Sequence, residues 1–174
     1  SLPGGMAAIF DAVGDARFVT FFQQTLLPSS YYDMFPLAVM RYHGAKLVNE
    51  DFFEHVYQRG LRIVQKDING IYKMLLKVIT PKMIINRLVA VNQTYYDFGP
   101  MSVEAKSSRE AIISRTEFPV KLVPWYTPAT LGYVDGAMTL NGAKDVRMHM
   151  QWKRSRGEQH GEDLCDGNLK LTWK

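Results

Sequence analysis

Four side chains near the C-terminus, His149, His160, Asp163 and Cys165, are of types that ligate transition metals. Asp51 and His55 stand a four-residue step apart, which puts both on one face of a helix. Zinc sites use paired Cys or His at short spacing, and the pair His160 and Cys165 is not repeated, so no metal centre is expected and Cys165 reads as a loop thiol. Catalytic motifs are also missing: the chain has no Gly-x-Ser-x-Gly elbow, no glycine-rich phosphate loop and no His-Glu-x-x-His helix. Glu50, Asp51 and Glu54 are accounted for by helix capping and a wet helix face. Enzymatic chemistry would need an ionisable group such as His149 or Glu104 turned into the interior.

Two other chemistries fit the residue types better. Nine Met, nine Tyr and nine Phe are many deformable or amphipathic side chains, and Met34, Met74, Met83, Met138, Met148 and Met150 can fill a core or line an adaptable cavity. Met83, Leu88, Met138, Met148 and Trp152 are the expected cavity wall. The second is a cationic sheet face. Arg147, His149, Lys153 and Lys170, with Lys174, fall on the side opposite Trp152 and Trp173 if both segments are strands. Such a face suits an anion, an acidic protein partner or a membrane headgroup, or it is a solvated face whose charge discourages strand addition. Single-strand RNA readers place aromatics on the exposed face, whereas here they point inward, so nucleic acid is not an expected partner.

The elements that must position these groups follow from periodicity. Over residues 145–153, Val146, Met148, Met150 and Trp152 alternate with Arg147, His149, Gln151 and Lys153, and Leu169, Leu171 and Trp173 repeat the pattern. Both predict half-buried strands, pairing antiparallel across a polar connector over 154–167 as a sheet edge. The first half is helical in pattern. One helix is predicted over 9–27, a second after Ser29 or Ser30 ending near Gly44, and a third capped by Asn49 through Phe53, Tyr57, Leu61 and Val64, with Gly60 marking a close helix crossing. A fourth begins at Asp67 with Ile71, Leu75 and Val78 inward, and a fifth opens at Thr80 and Pro81. After Gly99 and Pro100 the period becomes two, so Met101, Val103 and Ala105 start a hairpin that turns at 107–109. Residues 118–126 read as a connector, and Thr127 with Pro128 open a last helix that Asn141 and Gly142 end. The predicted fold class is α+β, N-terminal helices followed by strand-strand-helix-strand-strand, with an antiparallel sheet packed against a helical layer.

Bulk composition bounds the rest. A chain of 174 residues, 47% hydrophobic and 22% charged, suits one globular domain over 6–174, residues 1–5 reading as an expression remnant ahead of Met6. One cysteine excludes an internal disulfide, which suits a reducing compartment. No stretch approaches the ~20 apolar residues of a membrane helix and no secretory leader is visible, so a cytoplasmic protein is expected. Net charge of +4 is too small a surplus to demand nucleic acid.

The pattern resembles a family of domains of similar length and unassigned function found mainly in myxobacteria and related deltaproteobacteria. The resemblance is carried by Phe35 and Pro36, residues 84–91 followed by Tyr95, Tyr96, Phe98 and Gly99, then Phe118 and Pro119, Gly132, Asn141, Gly142 and Trp173. At fold level the element order is also similar to haem nitric-oxide-binding domains, vinyl-reductase ligand-binding domains and trafficking-complex subunits that hold an acyl chain. That similarity implies a ligand cavity between helices and sheet. The haem branch uses a proximal histidine and a tyrosine, serine and arginine at alternate positions, whereas Ser114 and Arg115 here are adjacent, so haem is not expected. The expected function is a non-enzymatic regulatory or sensor module binding a small apolar molecule or a protein partner, with homodimerisation open. The alternative is a small enzyme acting on a hydrophobic substrate in the same cavity.

Overall fold

The C-terminal alternation is realised as a long hairpin. In a computed structural model describing residues 2–27, 30–67, 81–159 and 161–174, strands β3 (Arg147–Gln159) and β4 (Glu162–Thr172) pair antiparallel, Met148 opposite Leu171, Met150 opposite Leu169 and Trp152 opposite Gly167. This register puts the methionines, both tryptophans and the leucines on one side. Arg147, His149, Lys153 and Lys170 project to solvent on the other. The strands are longer than periodicity alone indicates, because residues 154–159 and 162–167 continue the ladder through a register shift between Arg154 and Glu158. The expected connector over 154–167 is therefore corrected to strand, with the turn confined to its middle.

Strands β1 (Met101–Ser107) and β2 (Glu110–Pro119) form the other hairpin, and the sheet order is β1-β2-β4-β3. The last strand thus lies inside the sheet, and β3 is its edge. On β2, Ala111, Ile113 and Arg115 face inward before a shift between Arg115 and Phe118, with Glu117 at φ 54°, re-aims the strand so that Phe118 is also buried.

Helices α1 (Gly5–Val13), α2 (Ala16–Gln23), α3 (Phe35–Leu47), α4 (Phe52–Asp67), α5 (Pro81–Tyr95) and α6 (Val123–Leu140) cover the inner face and one end of the sheet. The single helix expected over 9–27 is two, because Gly14 takes a left-handed conformation and the Asp15 carboxylate caps the Arg17 amide. Asp51, not Asn49, caps α4 through the Glu54 amide. Helix α6 begins at Val123 with Pro124 in its first turn, so Pro128 lies inside it rather than opening it. The expected helix carrying Ile71, Leu75 and Val78, and Met74 with it, falls outside the described residues. No described helix is long and apolar enough to cross a membrane.

Helices α4 and α6 make the closest helix crossing. A Cβ on Gly132 would stand 2.1 Å from the Tyr57 carbonyl oxygen, and one on Gly60 would stand 2.7 Å from the Ala129 carbonyl oxygen. Both neighbours are backbone and cannot swing aside, so the expected close crossing at Gly60 is present, with Gly132 as its counterpart. Around it the sheet and helices share a core containing Val64, Ile85, Val134, Met138, Leu169 and Leu171. Gly132→Ala is expected to lower stability by about 3 kcal/mol or more through forced separation of the two helices. Urea denaturation measures this; a loss under about 1 kcal/mol, or a gain from alanine's better helix propensity, would mean the crossing is not rigid.

Candidate functional site

Helix–sheet packing is interrupted by a cavity of about 430 Å³. Leu37 of α3, Val56 and Ile63 of α4, Leu88 and Val89 of α5 and Ile113 of β2 supply apolar wall. Trp125, Tyr126, Ala129 and Val134 close the α6 side. Polar groups enter at two places. Arg41 and Arg59 line it from α3 and α4, while Asn92, Tyr96 and Tyr126 line it beside a buried arginine.

That arginine is Arg115, 2% exposed, which the inward register of β2 points into the core. One terminal nitrogen donates to the Asn92 Oδ1 at 2.6 Å, to the Tyr126 hydroxyl at 2.7 Å and to the Met101 Sδ at 3.3 Å. The other donates to the Phe98 carbonyl oxygen at 2.8 Å. The Nε is buried with no hydrogen-bond partner among the described residues, packed where Gly99 has no side chain. Four rings surround the cation, with centroids at 4.6 Å for Phe118, 4.7 Å for Tyr126, 5.1 Å for Tyr96 and 5.7 Å for Phe98. A charge taken out of water without a carboxylate is costly, and the ring quadrupoles and neutral acceptors offset that cost. Sequence reasoning noted Arg115 only as a neighbour of Ser114. The available signal was its place in the inward series Ala111, Ile113, Arg115.

The expected site residues separate. Leu88 lines the cavity. Met138 is fully buried in the solid core, and Met148 packs beside it. Trp152 lies over Gly167 against Phe118, its indole Nε1 donating to the Thr127 hydroxyl at 2.9 Å. Met83 is corrected outright: it is 50% exposed, because its turn of α5 directs Ile84 and Ile85 inward instead. Arg147, His149, Lys153 and Lys170 share the outer sheet face, where Lys170 pairs with Glu110 at 3.1 Å. His149 and Glu104 are exposed. No cluster of metal-binding side chains occurs among the described residues; Asp51 caps α4, and the His55 ring contacts Glu50 at 2.6 Å.

Cys165 is a strand residue rather than a loop thiol. It is buried on β4 with its Sγ donating to the Phe118 carbonyl oxygen at 3.2 Å, and burial, with Asp166 nearby, pushes its pKa up to about 11. Tyr57 is likewise raised, first by burial and then by its hydrogen bond to Asp135, which ties α4 to α6.

Two outcomes follow from this geometry. Tyr126→Phe leaves the Arg115 cation without its shared acceptor and should cost about 1.5–3 kcal/mol in urea denaturation; a change below 0.5 kcal/mol would show that the hydroxyl does not support the cation. Iodoacetamide at pH 8 should modify Cys165 only as fast as the chain opens, since the folded thiol remains protonated up to about 11. Modification at the rate of the unfolded chain would contradict that burial.

No protein-family model matches the chain, and no curated protein sequence matches it significantly. Solved structures do. A point mutant of the T. tengcongensis H-NOX domain superposes with TM-score 0.58 at 9% identity, over 95% of this chain and 85% of that one. The S. oneidensis H-NOX protein, solved in its Fe(II)NO ligation state, gives TM-score 0.58 at 12% identity, over 98% and 90% of the two chains. A structure solved to probe haem distortion in the H-NOX family gives TM-score 0.62 at 9% identity, over 95% and 82%. The expectation against haem is thereby corrected, because the structures this chain is similar to are of haem-binding domains. A missing tyrosine–serine–arginine triplet does not set this architecture apart from them. At these identities the similarity is one of fold: helices packed on an antiparallel sheet, in the H-NOX arrangement.

Proposed function

We propose that this chain is a non-enzymatic sensor module whose interior cavity holds a small, largely apolar molecule and whose helices repack when it is occupied. The cavity carries this reading. About 430 Å³ with largely apolar walls, and with Arg59 and Ile63 exposed at its edge, is space suited to a ligand. Its walls come from α3, α4, α5, α6 and the sheet, so an occupant touches both layers and can favour one packing over another.

Haem is the first ligand to test, since the structural neighbours include haem proteins. The apolar walls suit the faces of the macrocycle, and Arg41 and Arg59 suit its carboxylates. Known haem proteins ligate iron by imidazole, thiolate, thioether or phenolate. The described lining contains the phenols of Tyr96, Tyr126 and Tyr133 and the thioethers of Met34 and Met101, of which Met101 and Tyr126 already accept from Arg115, and no imidazole. Bound there, haem would supply an iron centre for a diatomic ligand, as in the nitric-oxide complex of the S. oneidensis protein. The chain's own part is to enclose the group, exclude water and meet its charges.

Fluorescence titration with the uncharged probe N-phenyl-1-naphthylamine, followed by displacement with ferric haem, tests the reading. One saturable site per chain is expected. Ala129→Leu, which fills the cavity, should weaken probe binding by about tenfold while circular dichroism stays unchanged. Absence of saturable binding by both probe and haem, or unchanged affinity in a folded Ala129→Leu variant, would overturn it.

A further inference from the structure

We propose that the cavity's ligand is an amphipathic anion whose charged head is held between Arg41 and Arg59. This rests on the cavity reading above and narrows it to a chemical class: an apolar body carrying a carboxylate, sulfonate or phosphate.

The cavity has two arginines and no acid. Arg41 on α3 and Arg59 on α4 both line it, and no Asp or Glu is among its described lining residues. Neither guanidinium has a carboxylate within ion-pair distance among the described residues. They also burden each other. Arg41 is half-buried, and loss of water, with Arg59 nearby, draws it down to about 10. Loss of water and the adjacent Arg62 lower Arg59 as well.

Among the described residues, the acids on and beside the cavity's helices are engaged elsewhere. Helices α3 and α5 contain no Asp or Glu at all. On α4, Glu54 accepts from Gln58, and on α6, Asp135 accepts from Tyr57 and Thr139. Ahead of α4, Glu50 contacts His55 and Asp51 caps the helix. Residues 68–82 bring Lys73, Lys77 and Lys82 and no acid. Asp67 lies two helical turns beyond Arg59, roughly 12 Å along the axis.

Two guanidiniums on adjacent helices beside one apolar cavity, Arg41 half-buried and Arg59 exposed at its edge, repel each other in the empty protein and are matched to a multi-oxygen anion. Such groups accept several charge-assisted N–H bonds at once, and their charge relieves the repulsion between the arginines. A neutral apolar ligand would fill the void and leave that repulsion in place.

A matched pair of fluorescent probes tests this on the whole chain: 1-anilinonaphthalene-8-sulfonate and its uncharged parent N-phenyl-1-naphthylamine. The sulfonate is expected to bind at least about tenfold more tightly, as charge-assisted hydrogen bonds warrant. Added sodium chloride should weaken only the sulfonate. The double variant Arg41→Met with Arg59→Met should bring the two affinities together and raise the melting temperature of the empty protein. Arg59→Gln alone, a surface change that keeps the fold, should give an intermediate ratio. Equal affinities in the wild type would overturn the inference and leave the cavity reading standing. A sulfonate preference that survives in the folded double variant, or that Arg59→Gln leaves undiminished if the double variant does not fold, would overturn the assignment to these arginines. Binding of neither probe would remove the cavity reading, and the inference with it.

Discussion

A single buried cation ties the two layers together. Arg115 leaves the inner face of the sheet and reaches α5 through Asn92, α6 through Tyr126, β1 through Met101 and the segment before β1 through the Phe98 carbonyl. With no carboxylate to neutralise it, its burial is tolerated only because four aromatic faces and four neutral acceptors converge on it. That convergence fixes where α5 ends and α6 begins relative to β2, and the cavity is the space left beside it. Gly99 belongs to the same constraint, since a Cβ there would meet the guanidinium at 2.7 Å.

The glycine crossing of α4 and α6 acts from the other side. Close backbone approach at Gly60 and Gly132 draws these helices together, and Tyr57 hydrogen-bonded to Asp135 holds them in register. Among the described residues helix α3 makes no comparable glycine contact, and the cavity is bounded in part by α3, α4 and α5. Arg41 and Arg59 border that space. The arrangement is stiff on its Arg115 side and cationic on its helical side, which suits a domain whose packing responds to an occupant. The resemblance to H-NOX structures is one of this architecture, with the cavity bounded here by the chain's own set of phenols, thioethers and arginines.

Much of the fold was legible in the sequence. Alternation around Trp152 and Trp173 correctly gave the inner and outer faces of β3 and β4, because a one-residue slip would send every side chain to the wrong side. The switch from helical to alternating period after Gly99 and Pro100 correctly placed β1. Boundaries were less legible where one local signal competed with another. Pro128 suggested a helix start, but Pro124 occupies that role, and the last helix tolerates the second proline within its length. Residues 154–167 looked like a polar connector because Arg154, Gly157, Glu158, Gln159 and Asp163 are exposed and the buried Leu164, Cys165 and Gly167 make no regular alternation. Of the expected cavity wall, Leu88 lines the cavity, whereas Met83 is turned to solvent by a difference of one or two residues around the helix.

The sequence by itself determined the fold class and the strand faces, since these depend on residue type and local period. Only the tertiary structure decided that Arg115 sits in an aromatic box, that Cys165 is buried and that Arg41 and Arg59 share a cavity with no acid among its described lining residues. The reason is distance along the chain. Asn92, Phe98, Arg115 and Tyr126 lie in separate elements, and Arg41 and Arg59 on different helices, so their meeting depends on how the helices cross and which strand takes the sheet's centre. Periodicity says which way a side chain points; it does not say what will be waiting there.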